Sequence, residues 1–73
     1  MKAVLKYNLP EDNYEFNNAI NGTKLRGILE DVDTYLRNKL KYESLTEDQN
    51  DIYQDVRDYL YNLLDEENIR LFE

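Results

Sequence analysis

The chain has no cysteine and no histidine. Disulfides, thiol nucleophiles, zinc sites of the Cys/His kind and imidazole acid–base chemistry are thereby excluded. Its two glycines, Gly22 and Gly27, stand apart, so there is no glycine-rich loop to cradle a phosphate. No apolar run approaches the roughly 18 residues that span a bilayer, and no signal-like apolar stretch follows Met1-Lys2. The expected compartment is the cytoplasm. Basic residues are scarce too: nine against sixteen acids, for a formal net charge of −7. Nucleic acid and anionic membranes are bound through Lys and Arg, so neither is an expected ligand, and a basic protein surface is the natural alternative.

Seventy-three residues, 41% hydrophobic and 34% charged, suit a single domain spanning residues 1–73, near the lower size limit for a core that holds itself together unaided. The charge is uneven. Residues 1–42 hold seven bases and six acids, whereas residues 43–67 hold nine acids and Arg57 alone. Nearly all the excess acidity belongs to one element.

Residues 2–9 alternate, with Ala3, Leu5, Tyr7 and Leu9 on one side, and read as a half-buried strand that Pro10 ends. Pro10-Glu11-Asp12 suits the first turn of a short helix. Phe16, Ala19 and Ile20 are its apolar contacts and Asn21-Gly22 its left-handed cap. Thr23 can cap a second helix, along which Leu25, Ile28, Leu29, Val32, Leu36 and Leu40 recur at intervals of three and four, with Tyr35 on the flank. Arg26 with Glu30, and Asp33 with Arg37, fall at i, i+4 on its wet face. After a loop at residues 42–45, Thr46 and Gln49 make a capping box for a third helix to about Glu67, with Ile52, Val56, Tyr59, Leu60, Leu63 and Leu64 as core face. Asn68 then caps that helix, and residues 69–72 alternate as a closing strand. The expected fold is α+β and mostly helical: β-α-α-α-β, with two long amphipathic helices packed together and a small two-stranded sheet formed by the termini.

Along the last helix Asp48, Asp51, Asp55, Asp58 and Asp65 fall on one line, with Asn62 at the missing step. At 3.6 residues per turn they occupy a stripe about 100° wide and about 25 Å long. Like charges at these spacings repel by about 0.2 to 0.5 kcal/mol a pair. The stripe reads either as a solvated face or as a surface for Lys and Arg arrays on a partner, which carboxylates accept well. Tyr61 points away from the apolar face of this helix, beside the stripe, and joins the five aspartates as a candidate partner-binding residue. Tyr7, Tyr35 and Tyr59 read as the rim of the core.

Neither Asp48, Asn50 and Asp51 nor Asp31 and Asp33 come with the glycine turn of a calcium loop, so no metal site is expected. No cofactor is expected either. Paired carboxylates alone, in a domain too small for a sizeable pocket, do not make an enzyme. Self-association is a second possibility, since small domains gain core by doubling, and a homodimer with a structural or assembly role fits the tyrosine content. A sponge for a signalling nucleotide would need Lys24, Arg26, Arg37, Lys39 and Lys41 in one pocket, which helical spacing scatters.

The run Asn8-Leu9-Pro10-Glu11-Asp12, the Phe16 and Ala19 segment ending at Asn21-Gly22, Tyr35-Leu36-Arg37 before Lys41-Tyr42, and Val56-Arg57-Asp58 with Leu60 resemble small acidic proteins of tailed bacteriophages and prophages. That group has no established activity, so the resemblance implies a phage setting and no site residues. In such a setting small acidic proteins often bind and block a host or defence protein. The expected function is therefore a non-enzymatic protein–protein interaction module, an inhibitor that meets a basic host surface through the acidic helix, in the manner of a nucleic-acid mimic.

Overall fold

The computed structural model describes residues 1–72 and consists of two helices, α1 (Asn13–Tyr42) and α2 (Glu47–Glu66). Only four residues connect them. Asp33 therefore meets Arg57, and Arg26 reaches the chain beyond α2, which makes the pair an antiparallel hairpin.

A turn starts α1. The Asp12 N–H donates to the Asn8 carbonyl at 2.8 Å, and the Asp12 carboxylate turns back to accept the Asn8 N–H, also at 2.8 Å. With that side chain occupied, the helix begins without a side-chain cap. Glu15 in the first turn and Lys39 and Lys41 in the last complement the helix dipole. At α2 the capping box forms as expected. Thr46 Oγ1 accepts from the Gln49 N–H at 3.2 Å, and Gln49 Oε1 accepts from the Thr46 N–H at 3.0 Å. Past the other end of α2, Asn68 takes the left-handed conformation at φ 56, and the Ile69 N–H closes onto the Leu64 carbonyl at 2.9 Å.

The β-α-α-α-β expectation fails on two counts. Among the described residues there is no strand and no sheet. Residues 2–9 lie exposed except for Tyr7, whose ring meets Phe16 edge-on with centroids 5.7 Å apart. Residues 67–72 are drawn into a different contact: Leu71 is buried, and the Arg26 guanidinium donates to the carbonyls of Arg70 and, at 2.9 Å, of Leu71. The second failure is that Asn21-Gly22 does not end a helix. α1 runs through it for 30 residues, neither glycine has positive φ, and Thr23 sits in mid-helix. An interior glycine costs about 1 kcal/mol relative to alanine, while a break forfeits several backbone hydrogen bonds, so the continuous helix wins.

The interior is small. Among the described residues the buried hydrophobics are Leu36, Leu64 and Leu71. Half-buried Leu29, Leu40, Tyr53 and Leu60 extend the same seam. The inward face of α1 is therefore 29, 33, 36 and 40, and that of α2 is 53, 57, 60, 61 and 64, a 3-4 rhythm on each. The radius of gyration is 17.1 Å, against about 11 Å for a compact domain of this length. α1 overhangs α2, and the tail after α2 folds against the overhang.

Candidate interaction surface

The centre of the helix–helix seam is ionic. Asp33 is 2% exposed and accepts from Arg57 Nε at 2.9 Å. The Arg57 guanidinium also lies over the Tyr61 ring, 5.6 Å from its centroid. Hydrogen bonding to Asp33 is the main cause of a raised Arg57 pKa, and burial followed by the Asp33 carboxylate raises that of the Tyr61 phenol. Two sequence readings are thus corrected. Asp33 does not pair with Arg37 on a wet face; it crosses to the other helix. Tyr61, read as pointing away from the apolar face beside the acidic stripe, is half-buried against Arg57. A charge at a core step on each helix, with opposite signs, was the signal available: Asp33 between Leu29 and Leu36, and Arg57 between Tyr53 and Leu60.

This inward turn leaves the rest of α2 without positive charge, because Arg57 is its only base against seven acids. Asp48, Asp51, Asp55, Asp58 and Asp65 are all exposed. Salt bridges in the described residues join Arg26 to Glu30 at 3.4 Å, Lys39 to Glu43 at 3.0 Å and Arg57 to Asp33, and none involves Asp48, Asp51, Asp55 or Asp58. Asp58 accepts from Gln54 Nε2 at 2.9 Å. Asp48 lies in the first turn, where the helix dipole favours an acid, but Asp65 lies in the last turn, which has no base and is where the dipole disfavours one.

Beside the stripe runs a surface that the sequence placed in the core. Ile52, Val56, Tyr59 and Leu63 are exposed on α2, and Leu25, Ile28, Val32 and Tyr35 on α1. Each set keeps the 3-4 spacing of a helical ridge. At 100° per residue each ridge lies about 100° from the inward face of its own helix. The antiparallel arrangement brings both ridges to the same side of the hairpin. They form one apolar platform, with the acidic stripe on the outer flank of α2, about 100° further round. Tyr35 and Tyr59, expected at the rim of a core, stand on this open platform.

Shallow grooves lie against the tail, one lined by Leu25, Arg26 and Leu29 with Ile69 and Leu71, another by Tyr61 and Asp65 with Arg70 and Phe72. The bases of α1 do not converge on either: Arg26 holds the tail, and Lys39 is tied to Glu43, which raises its pKa, and lies 5.3 Å from the Tyr35 ring centroid. In the described residues no three acids stand close enough to hold a metal ion, and no helix is long and apolar enough to cross a membrane. No protein-family model, no curated protein and no solved structure matches this chain.

Proposed function

We propose that the protein is a non-enzymatic interaction module whose acidic stripe on α2 docks on a basic surface of another protein, and that it inhibits a host or defence protein in a phage setting. The observation that carries this reading is the disposal of Arg57. The one base on α2 is spent inside the hairpin, so Asp48, Asp51, Asp55 and Asp58 on the outer stripe meet no base of their own helix. Successive acids stand roughly 5 Å apart along the helix axis, a spacing that Lys and Arg side chains can meet one by one, with bidentate Arg–carboxylate pairing where the approach allows. The stripe lies along a single regular helix, so its acids are presented in one line, which lowers the entropic cost of docking relative to an unstructured acidic segment.

Exposed charge pairs are screened over about 8 Å at 0.15 M salt, so binding of this kind weakens as salt rises. The test is a pulldown from a bacterial host lysate with the wild-type chain and with Asp51→Lys/Asp55→Lys/Asp58→Lys, in low and high salt. A protein retained by the wild type at low salt, released at high salt and absent from the charge-reversed bait is the expected result. Retention indifferent to both salt and charge reversal would sink the reading.

A further inference from the structure

The molecule exposes far more surface than its mass accounts for. Its accessible area is 6579 Å², whereas a folded monomer of 8.8 kDa is expected to expose about 4,800 Å². Residues 1–9, exposed apart from Tyr7, hold part of the difference, and the platform holds much of the rest. Its eight ridge residues are 43% to 65% exposed. At about 100 Å² each they offer about 800 Å², which is what one partner contributes to a standard specific interface. Meanwhile three buried leucines are too little core for a chain of this length to hold two helices together in water.

We propose that a second copy of the chain covers the platform, so that two hairpins close face to face into a four-helix bundle. The shape fits an isologous contact, because each hairpin presents two parallel ridges of matched 3-4 spacing and a two-fold axis lays ridges of one copy on ridges of the other. Charge selects which ridge meets which. α1 carries five bases and four acids, α2 seven acids and one base. Stacking α2 on α2 of the other copy would set two acidic helices side by side, whereas stacking α1 on α2 sets the near-neutral helix against the acidic one. A two-fold axis along the bundle satisfies this, makes every neighbouring pair antiparallel and keeps both connections at one end. It also keeps residues at their own level, so that Val32 of one copy lies opposite Val56 and Tyr59 of the other. Both acidic stripes remain on the outside.

Light scattering on the full chain at about 50 μM is expected to give twice the 8.8 kDa chain mass. Val32→Glu/Val56→Glu is expected to return the chain mass, and charge reversal at Asp51, Asp55 and Asp58 to leave the doubled mass in place. Because the double glutamate variant can also unfold, a second measurement uses the absence of native cysteine. Val32→Cys and Val56→Cys proteins, mixed and oxidised, are expected to cross-link to each other more than tenfold above Val32→Cys with itself, since α1 lies diagonally from α1 of the other copy. A single-chain mass with full helicity at 50 μM would overturn the dimer, and so would a mixture that gives no heterologous cross-link. Neither outcome bears on the acidic stripe, which is tested by salt and charge reversal.

Discussion

Arg57→Met and Asp33→Asn remove opposite ends of one ion pair, and their costs are expected to differ because the two ends differ in access to water. The Arg57 side chain is 28% exposed and that of Asp33 3%. In Asp33→Asn the amide oxygen still accepts from the guanidinium, which stays over the Tyr61 ring and turns its remaining donors to solvent. The hydrogen bond from the cation remains and the attraction between opposite charges is lost, about 1 to 2 kcal/mol. In Arg57→Met the Asp33 carboxylate stays buried without its cation, and an uncompensated buried charge costs about 3 to 5 kcal/mol. Removing both charges, as in Asp33→Leu/Arg57→Met, fills the same space with apolar atoms and is expected to return stability to wild type or above it. Urea unfolding followed by circular dichroism at one fixed protein concentration reads all three. With a slope of about 1 to 3 kcal/mol/M, the Arg57→Met midpoint falls by at least about 1 M and the Asp33→Asn midpoint by less. Equal costs for the single variants, or a double variant no better than Arg57→Met, would refute the view that a buried carboxylate is what makes this pair expensive to break.

Three further outcomes follow from the geometry. Gly22→Ala and Gly27→Ala each meet open space in a regular helix, so each is expected to stabilise by about 0.5 to 1 kcal/mol, read as a higher Tm; a left-handed cap at Gly22 would give the opposite sign. Thr46→Ala removes the capping box of α2 and is expected to cost about 1 kcal/mol in urea unfolding, with no loss if the helix end were held by packing alone. Tyr61 is raised above the ordinary tyrosine value of 10.0, so its neutral form is favoured in the fold. The unfolded chain gives up that proton first, and the contribution of Tyr61 to stability is full below pH 10 and is lost as pH rises through the folded pKa. Tyr61→Phe is expected to flatten the fall in stability above pH 10, and an unchanged slope in that variant would remove Tyr61 from the cause.

How far the sequence carried the fold depends on what competes with each local signal. Thr46 with Gln49 decides a helix start within four residues, and no distant contact opposes it. The recurrence of Leu29, Leu36 and Leu40, and of Leu60 and Leu64, at intervals of four and seven likewise made two long amphipathic helices legible. The terminal strands did not form because alternation in residues 2–9 specifies a strand only if a second strand is there to pair with, and the C-terminal segment spends Leu71 and its carbonyls on α1 and Arg26. Asn21-Gly22 misled because the pair is a common helix end, yet inside a helix its glycine costs only about 1 kcal/mol, less than the backbone hydrogen bonds a break would forfeit. The apolar stripe of each helix was read as one face when it is two. Residues 29, 33, 36 and 40 turn inward while 25, 28, 32 and 35 face out, a distinction that needs the partner helix to be placed. For the same reason the charged pair at the seam went unread: Asp33 and Arg57 are 24 positions apart, and nothing local joins them.

An open apolar platform on a chain with three buried leucines makes stability and association one process. The measurement that bears on this most directly is the Tm of the wild-type chain, followed by circular dichroism over a hundredfold range of concentration. For a dimer that unfolds to separate chains, a hundredfold dilution removes about 2.7 kcal/mol, which lowers the Tm by about 5 to 10 °C for two chains of this size. A Tm that does not move across that range, in a chain that remains helical at the lowest concentration, would contradict the dimer and show that each hairpin stands alone.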